Sequence, residues 1–230
     1  MIHFLFLFKR RDDVDRQDLL RYWREVHAPV VAGMAGVRRY IQNSVMAVPG
    51  SALSYDGVED IWVDDEAVLH GLPHCAADCK AAPVGMGGLI DLKHSVSLRT
   101  TDHIVHAGLQ IGREEALPKR MTFFKRKPGL GREDMLQYWR GTHGPLAASV
   151  PGLRRYVQSA MLPAAYESGE PRFDGAAQIW IEDDTALRAL VSSKRFRESV
   201  KPDEANFVAT DTVLTLPIEE ERRIVWLPEP

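Results

Sequence analysis

The stretch YWREVHAPVVAGMAGVRRYIQ, Tyr22–Gln42, returns as YWRGTHGPLAASVPGLRRYVQ, Tyr138–Gln158, at a constant offset of 116 residues. Between Arg16 and Asn43, 14 of 28 positions are identical to their counterparts. The repeat spreads in both directions. FKR at Phe8–Arg10 recurs at Phe124–Arg126, and DGVEDIWVDD from Asp56 recurs as DGAAQIWIEDD from Asp174, after a two-residue insertion. Solenoid units repeat every ~20–50 residues, so a period this long marks a duplicated domain instead. The first copy covers 1–108, a linker 109–117, the second copy 118–222 and a tail 223–230.

Each copy reads as the same series of elements. IHFLFLF is a short apolar and aromatic run, which suits a strand. DRQDLLRYWREVH then has helical spacing after a candidate N-cap at Asp15. Leu19, Leu20, Tyr22, Trp23, Val26 and His27 fill one arc of that helix. Pro29 disfavours the α conformation at Ala28, so the helix is expected to break or bend there. GVRRYIQNSV alternates as a second strand, with Arg38, Tyr40 and Gln42 on one face. DGVEDIWV is a third strand, and a second helix follows it. GGLIDLKHSVSL and NFVATDTVLTL close the copies as fourth strands. The order βαββαβ, twice, is a ferredoxin-like arrangement. A sheet with both helices on one face leaves its other face in need of a partner. The expected fold is therefore α+β, two ferredoxin-like halves forming an intrachain pseudo-dimeric α+β barrel.

The composition is that of an ordinary globular protein, with 45% hydrophobic and 27% charged residues. A net charge of −3 gives no electrostatic reason to expect nucleic acid or an anionic membrane as partner. No apolar run approaches the roughly 20 residues of a membrane span. In MIHFLFLFKRR the basic residues follow the apolar run, the reverse of a signal peptide, so it reads as a buried strand. Reduced cysteines in the cytoplasm are the expectation for Cys75 and Cys79.

Four linked elements resemble the EthD family: FKR on strand one, YWR-x-x-H-x-P on helix one, G-[VL]-R-R-Y-[IV]-Q on strand two, and DG-x-x-x-I-W on strand three. The resemblance covers most of both copies. It implies the dimeric α+β barrel superfamily, whose members usually carry one such unit and dimerise, so this chain resembles a covalent tandem version. The activities that the resemblance implies are diverse: dehydration, decarboxylation, cyclisation, isomerisation, and cofactor-free or haem-linked oxygenation.

His27 and His143 are the leading candidates for chemistry. An imidazole takes or gives a proton near pH 7, as a dehydration, cyclisation or enolisation requires. The competing reading is a structural histidine capping the last helical carbonyls. Tyr22 and Tyr138 lie on the other side of the arc, packed in the core or donating to substrate. Trp23 and Trp139 are core residues or pocket wall. Arg38, Tyr40 and Gln42, with Arg154, Tyr156 and Gln158, line a cavity that holds an oxyanion, or form a hydrogen-bonded sheet contact.

The copies differ where chemistry is expected. Asp60 aligns with Gln178, and a carboxylate there would orient or ionise a nearby histidine. KPDEANF, with Asp203 and Glu204, resembles the acidic segment of the family, whereas copy one reads APVGMGG. Phe4 and Phe6 become Arg120 and Thr122. One pocket is therefore expected to be apolar and the other polar, with copy two the more promising. HGLPHCAADC, with His70, His74, Cys75 and Cys79, has some metal-ligand spacing, but Pro73 interrupts it and copy two has no counterpart, so no metal is expected.

The leading expectation is a cofactor-free lyase, cyclase or isomerase acting on a small hydrophobic, oxygenated or aromatic molecule. The alternatives are a non-catalytic accessory protein that carries such a molecule for an oxygenase, and a haem-linked monooxygenase. Further homodimerisation of the pseudo-dimer is compatible with either.

Overall fold

A computed structural model of the chain describes residues 1–47, 54–72, 86–167 and 169–226. It contains two compact units, residues 1–100 with 219–230, and residues 101–218. Both divisions fall inside a strand.

Unit 1 is built from β1 (Ile2–Phe8), α1 (Arg16–Tyr22), a π turn (Trp23–His27), α2 (Ala28–Ala32), β2 (Val37–Val45), β3 (Gly57–Val63), α3 (Glu66–Gly71) and the start of β4 (Val96–His106). Its strands pair antiparallel in the order β4-β1-β3-β2. Unit 2 repeats this with β5 (Lys119–Phe124), α4 (Arg132–Tyr138), a π turn (Trp139–His143), α5 (Gly144–Ala148), β6 (Leu153–Met161) and β7 (Gly175–Ile181). There follow α6 (Asp184–Ser192), a π turn (Phe196–Val200), α7 (Lys201–Asp203) and the start of β8 (Leu214–Val225). The order is β8-β5-β7-β6, again antiparallel. Both units thus have the βαββαβ topology of a ferredoxin-like fold.

The repeated motifs have a structural cause. Asp56, at the turn into β3, accepts from the Arg10 backbone N–H at 2.8 Å and from the Arg10 guanidinium. Asp174 does the same for Arg126. The glycine after each aspartate makes room for the helix-one tryptophan. A Cβ on Gly57 would lie 3.0 Å from the Trp23 ring and 2.4 Å from the Phe8 ring, and one on Gly175 would lie 2.9 Å from Trp139. FKR, YW and DG are therefore one packing unit, in which Phe8 meets Trp23 edge to face at 4.8 Å and Phe124 meets Trp139 likewise. Asp15 caps α1 by accepting from the N–H groups of Gln17 and Asp18.

Three expectations are corrected. Helix one does not break before Pro29: Ala28 is helical, with φ −57° and ψ −45°. The strain of the proline ring on the preceding turn is relieved by widening that turn, and the Ala28 N–H reaches back to Trp23 O in a π turn. The closing strands start at Val96 and Leu214, later than expected. Local side-chain bonds hold the preceding segments in turns, Ser95 Oγ donating to Asp91 O and Thr212 Oγ1 to Ala209 O. Alternation along β2 and β6 also fails at its start, because a register shift between Val37 and Arg39, and between Leu153 and Arg155, takes one residue out of the pleat.

The second helix of unit 2 stops at Ser192. Ser193 is extended, and its hydroxyl accepts from Phe196 N to start the next turn. No helix among the described residues is long and apolar enough to cross a membrane.

Candidate active site

Each helix-one histidine ends a π turn, a geometry frequent at functional sites. The turn leaves Trp23 O and Trp139 O pointing at the sheet, where Gln42 Nε2 and Gln158 Nε2 donate to them, both at 2.9 Å. The same glutamines donate to the hydroxyls of Tyr40 and Tyr156. Tryptophan, glutamine and tyrosine thus form one polar cluster under helix one in both units.

In unit 1 that cluster closes on Glu59. Its Oε1 accepts from Trp23 Nε1 at 2.5 Å and from the Tyr40 hydroxyl, and lies 3.2 Å from His27 Nε2. Burial, the Glu59 charge and the bond donated to Glu59 push the Tyr40 phenol well above its ordinary value. His27 and Glu59 are wholly buried, so neither substrate nor metal reaches this imidazole without opening the fold.

In unit 2 the histidine is held differently. His143 Nδ1 lies 2.9 Å from Asp203 Oδ2, and Tyr138 donates to Asp203 Oδ1 at 2.6 Å. Asn206 Nδ2 donates to both Tyr138 Oη and Asp203 Oδ1. Burial raises the Asp203 carboxyl, but the bonds from Tyr138, His143 and Asn206, with the charge of His143, bring it below its ordinary value. The bond donated to Asp203 raises the Tyr138 phenol. An ionised Asp203 accepting at Nδ1 makes Nε2 the basic nitrogen of His143. The Phe207 ring packs 4.9 Å from the imidazole and completes the apolar side of the site.

The helix-facing sheet surfaces differ as well. In unit 1, Phe4, Phe6, Glu59 and Ile61 are 1, 3, 0 and 0% exposed. Their counterparts Arg120, Thr122, Ala177 and Ile179 are all partly open to solvent, although β5 and β7 are the two inner strands of their sheet. Threonine in place of Phe6 and alanine in place of Glu59 are smaller side chains and leave this sheet face less covered than in unit 1.

The other candidates lie apart. Arg38 is exposed and forms a fork with Asp64, and Arg154 Nη2 donates to Glu115. The register shift in each strand two separates these arginines from Tyr40 and Tyr156. Asp60 occupies the opposite sheet face, where it meets His3 at 3.2 Å and Asn43 at 3.0 Å, so the histidine it orients is His3. Tyr22 packs half-buried against the core, and Glu204 pairs with Lys201 at 2.5 Å. His74, Cys75 and Cys79 lie outside the described residues, among which no cluster of three His, Cys, Asp or Glu side chains has metal-binding geometry.

Sequence reasoning missed Glu59. Its signal was the alternation of β3, which puts Gly57, Glu59 and Ile61 under the tryptophan and Val58 and Asp60 on the other face.

A family model described as the EthD domain matches residues 11–72 and 127–211. No curated protein sequence matches the chain. Among solved structures, it is similar to an anthrone oxidase-like protein, with a TM-score of 0.65 and 15% identity over 97% of this chain and 93% of that one. It is also similar to a candidate monooxygenase from Lactobacillus acidophilus, with a TM-score of 0.57 and 10% identity over 100% and 99% of the two chains. A candidate chlorite dismutase gives a TM-score of 0.54 and 12% identity over 94% of each. At these identities the likeness is one of fold, and the fold is the α+β class with ferredoxin-like halves.

Proposed function

Because the chain belongs to the EthD family, we propose that unit 2 binds a small hydrophobic, oxygenated or aromatic molecule and moves a proton on it, with His143 as the base. The carrying observation is the contrast between the two histidines: His143, 7% exposed, is oriented by Asp203 in the unit whose sheet face is partly open to solvent, whereas His27, 0% exposed, is sealed against Glu59. His143 Nε2 takes a proton from a carbon that a carbonyl acidifies, directly or through a conjugated ring. The electron pair moves onto the carbonyl oxygen, and Asp203 stabilises the imidazolium that forms. Returning the proton to a second carbon is an isomerisation. Returning it to a neighbouring hydroxyl breaks that C–O bond, releases water and leaves a new double bond, which is a dehydration. No metal or prosthetic group takes part in either route. Asp203 and Tyr138 act as positioning residues.

The test uses anthrone, an aromatic ketone with an acidic CH₂ group, in D₂O. NMR should show protein-dependent deuterium exchange that is lost in His143→Ala and retained in His27→Ala. Undiminished exchange in a folded His143→Ala variant would remove this histidine from the chemistry. A ligand that binds and is released with no proton exchanged would instead assign the chain a carrier role.

A further inference from the structure

Unit 1 holds a side chain that unit 2 lacks, and every other member of its cluster is kept. Three groups, Trp23 Nε1, the Tyr40 hydroxyl and His27 Nε2, converge on one oxygen of Glu59. The strand register identifies the corresponding residue. Glu59 lies opposite Phe6 and Gln42, and Ala177 lies opposite Thr122 and Gln158. The three groups persist in unit 2 as Trp139, Tyr156 and His143, but the carboxylate is gone.

Its loss leaves a mark on the hydrogen bonds. Trp139 Nε1, with no carboxylate to reach, donates to Tyr156 Oη at 3.2 Å, and Gln158 Nε2 donates to the same oxygen at 3.1 Å. Tyr156 Oη therefore accepts twice, while its own hydrogen has no acceptor among the described residues. The corresponding hydrogen of Tyr40 is given to Glu59. A buried hydroxyl proton without an acceptor is costly, by about 1–3 kcal/mol, unless something else accepts it. Beside it, solvent reaches Ala177, whereas Glu59 is sealed. Arg120 replaces Phe4 on the same face. It forms no salt bridge among the described residues, and burial lowers its pKa despite the opposing charge of Asp184, so it too favours a closer negative partner.

We propose that unit 2 binds the anionic oxygen of its ligand in the place that Glu59 fills in unit 1. Tyr156 and Trp139 donate to that oxygen and Arg120 balances its charge, while His143 Nε2 stays free to take the proton. Glu59 is then a built-in copy of the ligand's head group. The ligand class is a molecule with one singly charged oxygen group, a carboxylate or an enolate or phenolate, on an apolar body that rests where Phe6 is replaced by Thr122. This assignment rests on the reading of unit 2 as the reacting half and names the group its substrate presents there.

The experiment has a binding readout independent of turnover. Benzoate and 4-nitrophenolate are titrated against the full chain by calorimetry, with benzamide as the neutral isostere of benzoate. At least one anion should bind, and which one separates the carboxylate from the phenolate. For benzoate, at least tenfold tighter binding than benzamide is expected. Ala177→Glu should abolish anion binding by supplying the carboxylate internally, and Tyr156→Phe should weaken it about tenfold. Equal binding of anion and neutral isostere, no binding of either anion at millimolar concentration, or unchanged binding in Ala177→Glu would overturn the proposal. Should Ala177→Glu fail to fold, Thr122→Phe restores in unit 2 the side chain that Phe6 provides in unit 1 and fills the place of the ligand's apolar body. It should abolish benzoate binding, and unchanged binding would also overturn the proposal. Proton exchange that persists without selective anion binding sinks only the head-group site. Selective anion binding without exchange on any probe sinks only the proton-transfer reading.

Discussion

Asp203 Oδ2 lies 2.9 Å from His143 Nδ1, on the side of the imidazole opposite to the nitrogen that His27 turns toward Glu59. The carboxylate partner comes from the segment before the last strand in one unit and from the third strand in the other. Asp203→Asn keeps the shape of that contact but removes the ionised acceptor that fixes the tautomer. It should slow deuterium exchange by about 10–100-fold, below most of the ~10²–10⁴ that a general base supplies, since the base itself is kept. The apparent pKa of the exchange profile should move with it, which a merely structural role would not cause.

The same carboxyl makes stability depend on pH. Its folded-state pKa lies below the unfolded one, so its contribution is complete above the unfolded value of about 3.9 and is lost as pH falls through the folded value. Urea titrations of wild type and Asp203→Asn should therefore differ by a constant amount from pH 7 to 5. The difference should shrink below about pH 4.

His27→Ala should cost more stability than His143→Ala. The first leaves Glu59 wholly buried without its imidazole neighbour, and mutations of that kind cost about 3–5 kcal/mol. The second leaves Asp203, which is partly exposed and keeps its bonds from Tyr138 and Asn206, so its cost should stay near 1 kcal/mol. Equilibrium denaturation of the two single variants measures the gap.

Gly57→Ala and Gly175→Ala test the packing reading of the repeated DG motif. Each added methyl runs into a buried aromatic ring at 2.4 Å and 2.9 Å respectively. Either should destabilise by about 1–3 kcal/mol, since overpacked cores respond on that scale. Thermal unfolding would show it, and a neutral result would mean that the rings yield freely.

Asp174→Asn should be more damaging than Asp56→Asn. Both lose the ion pair with the FKR arginine and a second cation nearby, Arg16 Nε at 3.8 Å from Asp56 and Lys125 Nζ at 3.4 Å from Asp174, but Asp174 alone also accepts from Tyr166. The cost at Asp174 should reach about 3 kcal/mol, the scale for breaking a buried pair.

The duplication, the βαββαβ order and the helix-one histidines were legible because each depends on local pattern: period, alternation and caps. Asp203 was legible for the same reason, as a difference between copies in an aligned segment. The π turn was not, since a proline after a helical run normally signals a stop, and only the packed Trp23 and Gln42 select the wider turn. Glu59 was hidden for another reason. In a strand buried on both faces, alternation no longer separates polar from apolar positions, so Glu59 and its neighbour Asp60 look alike in sequence. The arginines of strand two were misplaced because a register shift breaks the period of two, and single-sequence alternation carries no sign of one.

The sealed cluster around Glu59 has a consequence for how such a chain can change over time. A single-unit protein that pairs with its own copy obeys two-fold symmetry, so a glutamate that fills one site fills both, and an alanine that opens one opens both. Joining the two units in one chain lifts that constraint. Position 59 can favour rigidity while position 177 favours entry, and neither choice is imposed on the other.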